Sequence, residues 1–469
     1  MKKIINTKVV VIGSGPAGYS AAFRCSDLGL NTVLIERYEN LGGVCLNVGC
    51  IPSKTLLHVA KIYKDNEYFY NKGIFFNKPK INFKILRNWK KNIIKKINFG
   101  LNNMAKNRNV KIVYGKGSFI NKNSILVMNN KKKIKINFKY CIIAIGSKSI
   151  NLPFNVSGIW NSTDALKLKK IPKSLLIIGG GVVGLEMATL YSSFGSMVDV
   201  IDNSKYLLPM VDKDMVFMFR NIIKKQFNIF NCTNILSIKK NNLGYLVNIE
   251  NNKKIKQDKI YENIIVSVGR YPETSSLKIK NIGIILNKNG FIKVNKKMRT
   301  NVDNIYAIGD IVGVPMLAHK AMHQAHIAAE VIYGKDHYFD PKVIPSIAYT
   351  NPEIAWVGMN EKDAKNNNIN FEVALFPWKA SGRAIATCTS CGMTKLIFDK
   401  DTNKIIGGSV IGKNSGELLS EISLAIEMGC DAEDISLTIH AHPTLYETIG
   451  LTADIFTGTI TDLLNEKAK

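Results

Sequence analysis

Cys45 and Cys50 stand five positions apart in Leu41-Gly-Gly-Val-Cys-Leu-Asn-Val-Gly-Cys-Ile-Pro-Ser-Lys54. Such a pair can store two electrons by opening a disulfide, because a thiolate attacks one sulfur and displaces the other. The segment otherwise reads helical. Five residues of straight helix rise about 7.5 Å, whereas bridged cysteines hold their Cα atoms about 4.4–6.8 Å apart. A bend between Cys45 and Pro52 is therefore expected, with Gly49 supplying freedom and Pro52 removing an amide donor. Because only the thiolate attacks, the chemistry also needs a base. Near the far end stands His440-Ala-His442-Pro443-Thr-Leu-Tyr-Glu447. Histidine titrates close to neutrality, and a carboxylate on one ring nitrogen fixes the tautomer of the other. His442 is assigned as the base, Glu447 as its orienter and His440 as structural.

Two similar units must position these groups. The first reads Lys8-Val-Val-Val-Ile-Gly-Ser-Gly-Pro-Ala-Gly, a β-branched run followed by Gly13, Gly15 and Gly18 and then a helical stretch. Gly13 allows a tight turn, Gly15 lets backbone approach a pyrophosphate, and Gly18 permits close packing of helix on strand. A second apolar run ends in Glu36, placed to grip a ribose diol. The pattern returns at Ser174-Leu-Leu-Ile-Ile-Gly-Gly-Gly-Val-Val-Gly, with Gly179, Gly181, Gly184 and the acid Asp202. No arginine stands beside Asp202 to receive a 2′-phosphate, so NAD is favoured over NADP. Two dinucleotide units imply one bound FAD and one exchanging nicotinamide nucleotide. Tyr140–Ser147 reads as a strand closing the first unit and Asn263–Arg270 as its counterpart in the second. Asn304–Asp310 reads as a return of the chain to the first unit. The expected division is 1–150 and 276–345 for the flavin part, 151–275 for the NAD part and 346–469 for a C-terminal interface domain. The fold class is α/β, with two Rossmann-like dinucleotide-binding domains and a C-terminal α+β dimerisation domain.

Composition sets the outer bounds. The chain has 469 residues, 46% hydrophobic and 21% charged, as in multi-domain soluble proteins, and no apolar run reaches the roughly 20 residues that span a bilayer. Lys8 and Gly13 interrupt the N-terminal apolar run, so it reads as a first strand and not as a secretory signal. The formal charge of +28 raises the question of nucleic acid. The lysines are scattered through segments such as Asn121–Lys139 and Lys224–Lys259 without stacking aromatics, so neither nucleic-acid nor membrane binding is expected. Eight cysteines without a secreted framework point to a reducing, cytoplasmic setting. His319, His323 and His326 share a helical face, with His337 beyond, but no acidic or cysteine ligands complete a metal set, and none is expected. Cys388-Thr-Ser-Cys391 lies in a polar stretch and reads as ordinary thiols.

Taken together, the glycine units, the cysteine segment, the Asp310 strand and the His-Pro motif resemble the pyridine nucleotide–disulfide oxidoreductases, from about residue 7 to residue 465. The resemblance implies FAD, NAD and a homodimer. It carries Glu36, Lys54, Gly117, Gly146, Asp310 and Ala318 to the flavin side and Glu186, Asp202 and Gly269 to the nicotinamide unit. It implies that Cys50 faces the flavin, that Lys54 and Glu186 pair beside it, and that His442 and Glu447 reach the disulfide from the other subunit. Within the family, Ser53 and Leu445-Tyr446 favour the branch that oxidises dihydrolipoyl groups with NAD. The branches that reduce glutathione disulfide or mercuric ion from NADPH fit less well. That branch implies lipoyl domains and the core acyltransferase of 2-oxo acid dehydrogenase complexes as partners.

Overall fold

The computed structural model describes residues 3–70, 72–75, 79–129, 132–154 and 156–465. Met1 and Lys2, at the head of the expected first strand, and Asn130 and Lys131, within one lysine-rich segment, lie outside them. Alternation of β-branched runs with amphipathic helices produces the expected parallel sheets. In the first, strand Lys3–Ile12 lies between Thr32–Glu36 and Lys132–Ile143, parallel to both, and Lys111–Tyr114 extends the edge. Val9, Val10 and Val11 on the central strand are fully buried, as a sheet covered on both faces requires. An antiparallel pair, Lys116–Asn121 and Ser124–Asn129, continues the sheet beyond Lys132–Ile143. Strand Ile305–Ala307, far along the chain, then pairs parallel with Lys132–Ile143.

Between these passages lies a second parallel sheet in the order Asn228–Phe230, Met197–Ile201, Ser174–Ile178, Asn263–Val266, Trp160–Asn161. A three-stranded antiparallel sheet, Thr233–Asn241, Gly244–Asn251 and Lys256–Tyr261, covers one side. Ser147–Ser149 pairs with Arg270–Pro272, tying the two units where the chain leaves one and re-enters the other. The C-terminal region is a five-stranded antiparallel sheet ordered Ser346–Ala348, Glu353–Gly358, Ile405–Gly412, Met393–Asp399, Phe371–Pro377, with helices Ser415–Met428 and Glu447–Thr457 packed on it. One hydrophobic core runs through all three regions. Leu56 and Ala60 of the helix after the cysteines meet Leu175 and Leu185 of the second unit and Ile354 and Ile411 of the C-terminal sheet. No helix among the described residues is long and apolar enough to cross a membrane.

Candidate active site

Each glycine of the first loop meets a different demand. Gly13 has φ +97°, and a Cβ there would lie 2.5 Å from the Ala144 carbonyl oxygen. At Gly18 it would lie 1.7 Å from the Gly13 oxygen, so helix Pro16–Asp27 packs directly on the turn. At Gly15 it would meet nothing within 4 Å, leaving the helix N-terminus open to a ligand. Glu36 ends its strand 4% exposed, and its carboxylate accepts the Ser14 N–H at 3.0 Å and the Tyr38 N–H at 2.8 Å.

The cysteine segment is fastened to this loop. The Gly42 N–H donates to the Ser14 carbonyl at 2.8 Å, and a Cβ on Gly43 would stand 2.7 Å from the Gly15 Cα. Short helix Gly43–Val48 stops at Gly49, and a new helix, Cys50–Tyr70, begins immediately. At Gly49 a Cβ would lie 2.9 Å from the Val44 oxygen, so a smaller residue than alanine is needed where the path bends. Pro52 falls in the first turn of the new helix, where a missing N–H leaves no intrahelical bond unmade. The Asn47 amide donates to the Leu41 and Gly43 carbonyls at 2.8 and 2.9 Å, holding the short helix closed.

Cys45 and Cys50, both thiols here, open into the cavity that runs along the glycine loop. The hydrogen bond between them, with Lys54 adding positive charge, lowers the Cys50 pKa to about 7 against the pull of burial. The same hydrogen bond raises Cys45, and burial adds to the effect. Lys54 Nζ bonds both Glu186 oxygens, at 2.9 and 3.0 Å, and Glu186 is 3% exposed. Although Glu186 stands on the helix of the second glycine unit, it lines the first cavity and not the second.

Other expected residues separate cleanly. Glu36, Gly117, Gly146, Asp310 and Ala318 line the first cavity with Gly13, Gly15 and Lys54. Gly179, Gly181, Asp202 and Gly269 line the second. Gly18 and Gly184 line neither and serve packing. At Gly184 a Cβ would lie 1.9 Å from the Gly179 oxygen. Asp202 accepts the Gly180 N–H at 2.6 Å and the Ser204 N–H at 2.7 Å, repeating the Glu36 arrangement. Ser162, Val183 and Arg270 line both cavities and form their common wall.

His442 Nδ1 bonds Glu447 Oε1 at 2.7 Å, and the second carboxylate oxygen accepts the Thr444 N–H at 2.5 Å. This pair is not brought to the cysteines: the His442 side chain is 78% exposed, and neither residue lines the first cavity. His440 is different. Its ring, 9% exposed, bonds Glu421 at 2.7 Å through Nε2 and the Thr438 carbonyl at 2.7 Å through Nδ1, and the Glu421 bond raises its pKa. His319 bonds the Pro345 carbonyl at 2.9 Å, and His337 pairs with Glu330. Cys388 and Cys391 are exposed.

Two contributors carried no sequence signal. Tyr349, from the C-terminal sheet region, donates its N–H to Glu186 at 3.1 Å, and Lys54 Nζ stands 4.6 Å from the centre of its ring. Ser147 donates to Asp310 at 2.6 Å and accepts from Arg270 Nε at 2.7 Å, joining the shared wall to the acid of the first cavity. These contacts bridge more than a hundred residues, which no local pattern records.

Comparison with known proteins agrees with this arrangement. The family model described as pyridine nucleotide-disulphide oxidoreductase matches residues 7–325, and that of the family's dimerisation domain matches residues 344–453. Dihydrolipoyl dehydrogenase of Buchnera aphidicola subsp. Schizaphis graminum is 59% identical over 471 residues, which cover 100% of this chain and 99% of that protein. The Geobacillus stearothermophilus protein of the same name is 40% identical, with 97% of each chain covered. Among solved structures, the Cu(II) complex of the HOCl-induced flavoprotein disulfide reductase RclA from Escherichia coli superposes with a TM-score of 0.86 at 25% identity, covering 97% of this chain and 99% of that one. A glycine loop locked to a dithiol, a second glycine loop behind a shared wall and a matched dimerisation region thus lead to one conclusion: the chain belongs to the pyridine nucleotide–disulphide oxidoreductases.

Proposed function

We propose that this chain oxidises a dihydrolipoyl dithiol to the cyclic disulfide, passing two electrons through Cys45 and Cys50 to FAD and on to NAD⁺. The observation that carries the reading is the single cavity lined by the first glycine loop, both cysteines and the Lys54–Glu186 pair. Full-length relatives named dihydrolipoyl dehydrogenase support it. The first cavity fits FAD: Gly15 leaves a helix N-terminus open where a pyrophosphate would bind, the Glu36 carboxylate at the strand end would hold a ribose, and the same cavity extends to the dithiol. The second cavity fits NAD, with Gly181 open in the same way and Asp202 at the strand end. FAD, when bound, accepts the electron pair of the dithiol, and NAD⁺ carries it away as hydride.

The protein's own groups do the rest. With Nδ1–H held by Glu447, His442 presents a free Nε2, which takes the proton from the first substrate thiol. The resulting thiolate attacks Cys45 Sγ of the disulfide form. The Cys45–Cys50 bond breaks, and Cys50 leaves as a thiolate that its lowered pKa and nearby Lys54 stabilise. The second substrate thiol, deprotonated in turn, attacks the substrate sulfur of the mixed disulfide. Cys45 departs with a proton, and the cyclic disulfide is released. Glu186 holds Lys54 beside Cys50, and the Tyr349 backbone holds Glu186.

Because His442 lies outside its own chain's cavity, the base is supplied by the second subunit of a homodimer. The matched dimerisation region supports that pairing. The partners are lipoyl domains and the acyltransferase core of 2-oxo acid dehydrogenase complexes, in the cytoplasm.

The test is direct. Purified protein should show flavin absorbance and reduce NAD⁺ with dihydrolipoamide. Comparable turnover of glutathione disulfide with NADPH would overturn the substrate assignment.

A further inference from the structure

Asp212, Asp214 and Glu361 bring three carboxylates close enough together to hold a metal ion, the one such group among the described residues. A lysine occupies that position. Lys395, on strand Met393–Asp399 of the C-terminal sheet, has a side chain with no exposure, and its Nζ lies 3.2, 2.8 and 2.6 Å from the three acids. A buried ammonium is tolerable only when paired, and packed carboxylates need a cation among them.

The geometry joins two regions. Asp212 and Asp214 open helix Lys213–Ile223 of the second unit, whereas Lys395 and Glu361 belong to the C-terminal region. Neighbouring contacts repeat the connection: Asp212 Oδ1 accepts the Glu361 N–H at 2.8 Å, and the Asn360 amide donates to the Met210 carbonyl at 3.3 Å. At the far end of the helix, the Gln226 amide donates to the Asn351 carbonyl at 2.5 Å. The chain that leads into this anchor is the wall of the second cavity, which Asp202, Ser204, Tyr206, Leu208 and Pro209 line.

We propose that Lys395 is a positioning residue for the nicotinamide nucleotide: by gathering the three acids, it fixes the 203–211 wall of the second cavity to the C-terminal sheet. This rests on the reading of the second cavity as the NAD site. Without the ammonium the acids repel, the start of helix Lys213–Ile223 swings away, and the wall beside Asp202 moves with it. The dithiol site, on the opposite side of the shared wall, keeps its geometry.

The experiment uses full-length, FAD-loaded protein carrying Lys395→Met. NAD⁺ binding is measured by calorimetry, and turnover is measured against NAD⁺ and dihydrolipoamide separately. Kd and KM for NAD⁺ should rise about fivefold or more, as expected when a binding wall is displaced, while kcat and KM for the dithiol stay near those of the unsubstituted protein. A lowered melting temperature with unchanged NAD⁺ affinity overturns the proposal and leaves Lys395 a purely structural link. If Lys395→Met does not fold, Asp214→Asn decides, since that carboxylate is partly exposed: a smaller rise in Kd supports the positioning role, and an unchanged Kd sinks it. If the unsubstituted protein itself does not bind NAD⁺, the functional reading fails, and the role of Lys395 falls with it.

Discussion

The two glycine units share one plan and differ in what covers them. Gly13 and Gly179 both have positive φ, and a Cβ on either would lie 2.5 Å from the carbonyl oxygen of the residue that follows a neighbouring strand, Ala144 or Ser267. Gly18 and Gly184 both press a helix on the turn, and Gly15 and Gly181 both face open space. Over the first loop, however, lies the cysteine segment, bonded through Gly42 and packed through Gly43. No comparable segment lies over the second among the described residues, and its acid is less buried than Glu36. Under the proposed function, the difference in cover is what separates a resident flavin from an exchanging nicotinamide nucleotide. In that reading a ligand under the cysteine segment stays to receive electrons, whereas one in the second cavity comes and goes.

Four measurements sharpen or break that contrast. The largest effect is expected from Cys45→Ser or Cys50→Ser, each lowering dithiol oxidation by a factor on the order of 10⁵ while flavin absorbance persists. Loss of flavin from both variants would show that the pair is structural cover and not the redox centre. His442→Gln should cost about 10²–10⁴ in turnover at neutral pH, and near-normal oxidation would remove the base assignment. Valine at the packing glycines separates the two loops. Gly18→Val should yield protein without flavin, whereas Gly184→Val should keep flavin and raise KM for NAD⁺ about tenfold or more. If Gly184→Val also lost flavin, the loops would not be independent.

The smallest effect lies in pH. In the reduced protein the Cys50 thiolate should appear with a midpoint near pH 7 by ultraviolet absorbance, and Lys54→Met should move that midpoint upward. The sign for stability follows from the depressed pKa. The Cys50 contribution is complete above its ordinary value of 9.0 and is lost as pH falls through about 7. A reduced protein whose melting temperature is flat from pH 9 to pH 6 would contradict it.

Much of this site was legible in residue order, because its parts are local devices. Three glycines at a strand end, an acid closing the next strand and two cysteines around Gly49 each act within one turn or hairpin, so spacing alone carries their geometry. The bend between Cys45 and Pro52 followed from the mismatch between helical rise and disulfide reach. The side Glu186 faces was harder to read, since a residue on one unit's helix serves the other unit's cavity. Tyr349 and Lys395 were not legible at all. Tyr349 holds Glu186 through a backbone N–H, which every residue but proline possesses, and Lys395 is one lysine in a chain full of them until its burial is seen. Contacts between layers built from distant stretches of chain depend on how the layers stack, and no periodicity encodes that.

The exposure of His442, away from its own chain's first cavity, has a genetic consequence under the proposed mechanism. If each site takes its cysteines from one chain and its histidine from another, a chain lacking Cys45 and a chain lacking His442 are defective in different halves of the same site. When the two are made together, a mixed dimer contains one doubly damaged site and one intact site. Random pairing then leaves about a quarter of all sites whole, although no single chain in the mixture is. Two loss-of-function alleles would complement each other, which a site built within one chain does not allow.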